Sequence, residues 1–264
     1  MDVSELKDIK LFLFDMDGTL YLGDRLFDFT KELLSKIRQS NARYLFITNN
    51  SSKSVSAYVE KLERLGIKAE YDDFMTSSQA TVYYLQNNLP NAKLYVCGTK
   101  SLKDELSANG FTVTEDIDKT EVIIMGNDTE LTFKKFDDIC RILTARDVPY
   151  IATNPDYVCP TEYGFVPDCG SVCDMIYNAT KKRPVVIGKP TALMPQLAMQ
   201  KYGVLPEQTA VIGDRIYTDI KSGINAGCVT VLVMSGETTN EVLEKSADKP
   251  DFVFDTAEKL LKYV

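Results

Sequence analysis

The sequence predicts an α/β protein built on a mainly parallel sheet. Three observations carry that prediction. Short apolar runs alternate with longer amphipathic stretches along the chain. Runs such as Leu11–Phe14 are apolar throughout, as a buried strand is. Four polar clusters each stand directly after such a run, and ligands of open parallel sheets bind beyond the carboxyl ends of strands.

The elements follow in order. Leu11–Phe14 is a strand stopped by Asp15, and Phe29–Arg38 reads as a helix. Arg43–Thr48 is the second strand, and Ser52–Leu65 is a helix ended by Gly66. Ser77–Gln86 is helical. A second series follows, with strands at Leu94–Cys97, Val122–Met125 and Tyr150–Ala152 and helices at Ser101–Ala108, Phe133–Ala145 and Gly170–Thr180. The turn-rich stretch Asn154–Cys169 carries Pro155, Pro160 and Pro167. The first theme then resumes with the strand Val185–Ile187, the helix Pro195–Tyr202 and the strand Ala210–Ile212. The helix Thr218–Asn225, closed by Gly227, leads to the strands Val229–Met234 and Phe252–Phe254.

Composition narrows the function classes. The chain has 264 residues, 44% hydrophobic and 26% charged, enough for one large domain or two smaller ones. Its net charge of −8 argues against nucleic acid or an anionic membrane as partner. A phosphate substrate is still compatible, because a metal ion and a few aimed donors decide the local potential. The polar start MDVSELKDIK shows no signal peptide, and no apolar run approaches the ~20 residues of a membrane span. Cys97, Cys140, Cys159, Cys169, Cys173 and Cys228 form no CxxC pair and read as reduced thiols of a cytoplasmic protein. The chain has no histidine, which removes Ser-His-Asp and Cys-His catalysis and every His-ligated zinc site.

The four clusters are Asp15-Met16-Asp17-Gly18-Thr19, Thr48-Asn49-Asn50-Ser51, Gly188-Lys189-Pro190, and Gly213-Asp214-Arg215 with Asp219 beyond. Asp15, Asp17 and Asp214 are three hard oxygen donors, a fit for Mg²⁺. Crowded carboxylates repel unless a cation offsets them. Lys189 supplies positive charge, and Thr48 supplies a hydroxyl with backbone N–H groups after it. A phosphoryl group suits this set. Asp15 is the candidate nucleophile, because a carboxylate can attack phosphorus. Asp17 is the candidate acid/base, protonating the leaving oxygen and later deprotonating water. Each cluster alone is also a plausible turn or helix cap, and Asp219 could be a structural ion-pair partner.

Together and in this order, the clusters resemble the haloacid dehalogenase-like hydrolase superfamily. Phe12–Leu20 looks like its first motif, Ile47–Asn50 its second, Gly188-Lys189-Pro190 its third, and Ile212–Arg215 with Thr218-Asp219 its fourth. DxDGTLY, TNNS and GDRxxTD together resemble the class IIA branch of NagD-like and p-nitrophenyl phosphatase-like enzymes. The resemblance implies a Rossmann-like parallel-sheet core (1–78 and 183–264) and an α/β cap domain (79–182) inserted between the second and third motifs. It implies a Mg²⁺-dependent phosphatase acting on phosphate monoesters of small metabolites through an aspartyl-phosphate on Asp15. Asp17 would be the general acid/base, and Asp15, the Asp17 backbone carbonyl and Asp214 would bind Mg²⁺. Thr48, Asn49 and Lys189 would hold phosphate, with Asp219 in support. Asn154, Asp156, Asp168 and Cys169 are candidates for substrate specificity on the cap side, with Asp168 disfavouring anionic leaving groups. A homodimer through the cap is the assembly to look for. Competing readings are a phosphotransferase or phosphomutase using the same phospho-Asp15, and a phospho-accepting signalling module.

Overall fold

The computed structural model describes residues 3–161 and 163–264. After a 3-10 turn at Val3–Asp8, strand β1 (Leu11–Phe14) leads into the short hairpin β2 (Tyr21–Leu22) and β3 (Arg25–Leu26). Helix α1 (Thr30–Gln39), β4 (Arg43–Thr48), α2 (Val55–Arg64), β5 (Phe74–Thr76) and α3 (Ser77–Asn88) follow. Then come β6 (Lys93–Cys97), α4 (Lys100–Ala108), β7 (Thr112–Val113), β8 (Val122–Met125), α5 (Phe133–Ala145) and β9 (Tyr150–Ala152). Next are β10 (Val158–Thr161), β11 (Gly164–Pro167), α6 (Cys169–Thr180), β12 (Val185–Val186) and α7 (Leu193–Tyr202). The chain closes with β13 (Thr209–Gly213), α8 (Lys221–Ala226), β14 (Val229–Val233), α9 (Asn240–Lys245) and β15 (Phe252–Phe254).

These elements form two units. The first comprises 1–48, 59–75 and 189–264, and the second 49–58 and 76–188. In the first, the sheet order is β15-β14-β13-β1-β4-β5. The pairs from β15 to β4 are parallel. Central parallel strands are covered on both faces, which is why β1, β4, β13 and β14 read as apolar runs. Phe14 lies opposite Ile212 on one side and Phe46 on the other. The chain therefore leaves β1, β13 and β4 at the same sheet edge, with Asp15, Gly213 and Ile47 level with one another. Helix α1 buries Leu33, Leu34 and Ile37 and exposes its charged face.

The second unit has its own parallel sheet, in the order β12-β9-β8-β6-β7. Its core joins Tyr95, Cys97, Ile123 and Met125 to Ile139, Ile142, Val172 and Ile176 of α5 and α6. Helix α3 opens on a reciprocal cap: the Gln79 N–H donates to Thr76 Oγ1 at 3.1 Å, and the Thr76 N–H donates to Gln79 Oε1 at 2.9 Å.

The α/β class and its parallel sheets are as the sequence predicts, and three local features differ. The sequence places Val185–Ile187 at the reopening of the first series, yet Val185 and Val186 pair with Ile151 and Ala152 in the second sheet. An apolar run marks a strand without saying which sheet receives it. The proline-rich stretch after Asn154 contains the antiparallel hairpin β10–β11. Prolines argue against central strands, but a two-stranded hairpin consists of edges only. The helix expected at Thr218 begins earlier, as a π-helical turn over Ile216–Ile220. Among the described residues no helix is long and apolar enough to cross a membrane.

Candidate active site

Asp15 follows β1 directly and is fixed by its N–H bond to the Ile212 carbonyl at 2.8 Å. Its carboxylate is mostly buried, with 18% of the side chain exposed. The chain then turns sharply. The Gly18 N–H donates to the Tyr21 carbonyl and the Leu20 N–H to the Met16 carbonyl. Gly18 has φ +83°, and a Cβ there would come 2.7 Å from Asp214 Oδ2, so the turn needs glycine twice over. Asp17 lies in this turn, half-buried, with its Oδ1 3.4 Å from the Gly23 N–H.

Lys189 stands between two carboxylates. Its Nζ donates to Asp15 Oδ1 at 2.7 Å, to Asp219 Oδ1 at 2.6 Å and to the Ile47 carbonyl at 3.4 Å. Burial works against its charge, but Asp15 and Asp219 outweigh it and hold the ammonium firmly protonated. Asp219 is fully buried, and its Oδ2 accepts the Arg215 N–H at 3.1 Å. The π-helical turn brings Asp219 close to Gly213, where a Cβ would overlap its carboxylate.

Asp214 leaves the end of β13. Its Oδ2 accepts the Glu237 N–H at 2.6 Å, while its Oδ1 is buried with no hydrogen-bond partner among the described residues. Burial, then the charges of Asp15 and Asp219, push Asp214 up to about 8. Burial likewise raises Asp15 to about 6, with Lys189 opposing and Asp219 adding to the rise. One carboxylate oxygen from each of Asp15, Asp214 and Asp219 lies within 4.8 Å of the others. Acids this crowded, one with an orphaned buried oxygen, are electrostatically short of positive charge. The donor set is all hard oxygen, so a divalent cation such as Mg²⁺ fits it. This trio counts side-chain oxygens alone and includes Asp219 beside Asp15 and Asp214.

Thr48 ends β4 and is buried. Asn49, the next residue, belongs to the second unit, and its Nδ2 donates to both Asp156 oxygens at 3.3 and 3.2 Å. Asn154 is fully buried and donates to the Asn49 carbonyl at 2.8 Å. Asp168 is the N-cap of α6, accepting the Cys169 N–H at 2.5 Å. Cys169, expected in a loop, is the first residue of that helix and is fully buried, its thiol 3.5 Å from the Met125 carbonyl.

Sequence reasoning missed the segment after β14. Ser235 Oγ donates to the Gly18 carbonyl at 2.6 Å, Gly236 packs on the Asp214 carboxylate, and Glu237 pairs with Arg215 at 2.8 Å. The signal was present, because Ser235-Gly236 follows a buried strand as the other clusters do.

Comparison with known proteins agrees with this geometry. Residues 12–112 match the family model described as haloacid dehalogenase-like hydrolase, and residues 186–260 match a HAD-hydrolase-like model. The chain is 31% identical to an acid sugar phosphatase of Staphylococcus saprophyticus, over 97% of this chain and 98% of that one. It is 31% identical to the 5'-nucleotidase YutF of Bacillus subtilis, over 98% and 100%. The crystal structure of a 4-nitrophenylphosphatase from Thermotoga maritima superposes with TM-score 0.93 at 39% identity, covering 98% of each chain. The chain therefore belongs to the haloacid dehalogenase-like hydrolase superfamily, in its NagD-like and p-nitrophenyl phosphatase-like branch of phosphoric monoester hydrolases.

Proposed function

We propose that this chain is a Mg²⁺-dependent phosphatase that hydrolyses phosphate monoesters of small metabolites through an aspartyl-phosphate on Asp15. The observation that carries the reading is a mostly buried Asp15 bonded to Lys189, beside an Asp214 oxygen with no hydrogen-bond partner among the described residues. Asp15, Asp214 and the Asp17 backbone carbonyl would hold the cation, which when bound draws charge from the phosphoryl oxygens. Lys189, Thr48 and Asn49 hold the phosphate. A carboxylate oxygen of Asp15 attacks phosphorus, and the bond to the leaving oxygen breaks as Asp17 protonates that oxygen. Asp17, now ionised, takes a proton from water. The resulting hydroxide attacks phosphorus, and the Asp15–phosphorus bond breaks to release inorganic phosphate. Asp219 keeps Lys189 charged and aimed.

Residues 79–182, the greater part of the second unit, are the inserted cap in this reading, and 1–78 with 183–264 are the hydrolase core. The six cysteines are free thiols, which fits a reducing compartment such as the cytoplasm. Asp15→Asn tests the mechanism. Its turnover of p-nitrophenyl phosphate should vanish while circular dichroism shows the wild-type fold, and no phosphorylated protein should be trapped on acid quench. Substantial residual turnover would remove the covalent route. A chelator should silence the wild type, and added Mg²⁺ should restore it.

A further inference from the structure

Asn154 and Asp156 follow β9, and both bind the Asn49 residue. The Asp156 carboxylate accepts the Asn49 carboxamide through both oxygens, at 3.3 and 3.2 Å. The Asn49 carbonyl receives Asn154 Nδ2 at 2.8 Å and Ser77 Oγ at 2.7 Å. The Asp156 N–H in turn donates to Asn154 Oδ1 at 3.1 Å, which locks the acceptor to the donor. A Cβ on Gly188 would come 2.5 Å from Asn49 Oδ1, so both ends of that carboxamide are enclosed. Asn49, Asn154 and Asp156 are 6%, 0% and 7% exposed. Two residues beyond Asn49, Ser51 Oγ bonds the Thr153 hydroxyl and the Asn127 N–H, both at 2.9 Å. Every contact lies within the second unit. A buried carboxylate with its donors in place is a structural clamp, and its cost is met only while those donors stay.

We infer that Asp156 and Asn154 are positioning residues for phosphate binding: they hold Asn49, and with it the end of the Thr48-Asn49 segment, in the geometry that receives the phosphoryl group. They act on the half of the substrate common to every ester, not on the leaving group. The inference rests on the reading that Thr48 and Asn49 hold the phosphate.

The test uses the full chain, p-nitrophenyl phosphate with two further esters of unlike leaving groups, and inorganic phosphate as competitive inhibitor. Asp156→Ala should raise KM for all three esters and Ki for phosphate by the same factor, about tenfold. Asn49→Asp, which sets two carboxylates face to face, should be worse. The N49D/D156N double variant reverses the donor and acceptor, and should return Ki to within about threefold of wild type. Ser77→Ala removes only a hydroxyl and should raise Ki about threefold, so it serves if Asp156→Ala does not fold. An unchanged phosphate Ki in Asp156→Ala, or in Ser77→Ala where that variant stands in, overturns the inference. So does a KM change confined to one leaving group, or a double variant no better than Asn49→Asp. Wild-type protein that fails to turn over any ester would instead refute the phosphatase reading beneath it.

Discussion

At Lys189 one ammonium satisfies two carboxylates that burial would otherwise leave costly. On the proposed role of Lys189 as a phosphate ligand, Lys189→Met should lower turnover of p-nitrophenyl phosphate by about 10²–10³-fold. It should also destabilise the protein by about 3–5 kcal/mol in urea unfolding, because Asp15 and Asp219 lose their partner. Glu105 on α4 gives a pH-dependent prediction away from the site. Burial raises its carboxyl to about 7, and its Oε1 has no hydrogen-bond partner among the described residues. The neutral form is therefore the one the fold favours. Below the unfolded pKa both states hold the proton, and the contribution to stability is fully present. As pH rises to 7 the unfolded chain ionises first, so stability falls, and above 7 the loss is complete. Glu105→Gln should abolish this decline and be more stable than wild type at pH 8 by about 2–3 kcal/mol, with little difference at pH 4. Unfolding titrations at the two pH values decide it.

Among the elements, α6 opens on a residue for which the sequence offers a second role. The sequence offers Asp168 as a specificity residue on the cap side, and in the fold it also caps the helix. Asp168→Ala should cost about 1 kcal/mol in urea unfolding through the lost cap. If Asp168 also disfavours anionic leaving groups, as proposed from the sequence, the variant's relative rate on anionic over neutral esters should rise; an unchanged ratio would argue against that role. At the end of β13, Gly213→Ala would push a methyl group into Asp219. Turnover should drop with Asp219 displaced, even if the secondary structure, checked by circular dichroism, is retained. Legibility follows the same division. Apolar runs report burial on both faces, so the strands at Leu11, Arg43, Val122 and Ala210 could be read directly. Asp15, Lys189 and Asp214 were legible because each follows a run that stops abruptly. The π-helical turn and the hairpin β10–β11 were not, since neither has a hydrophobic period of its own.

For the whole molecule, the two parallel sheets set which parts open together. β1 and β13 in one sheet, and β6 and β8 in the other, have partners on both sides, while β7, β12 and β15 are edges. Amide exchange should be slowest in those four central strands and faster by orders of magnitude in the edges and in β10–β11. Equal protection of β12 and β8 would contradict this order. Sheet membership was the least legible property at this scale. Which sheet Val185 joins depends on neighbours far away in the chain, not on its own residues.

The bond between Asn49 and Asp156 spans 107 positions of sequence. Recombination within the family would cut it unevenly. A chimera importing residues 76–188 from a relative would carry the donor's Asn154 and Asp156 but keep the host's Asn49 and Ser51. On the inferred role of the clamp, phosphate binding in the chimera then depends on whether the two parents' halves are compatible. Module exchange in this protein should therefore carry residues 49–58 along with the long insertion.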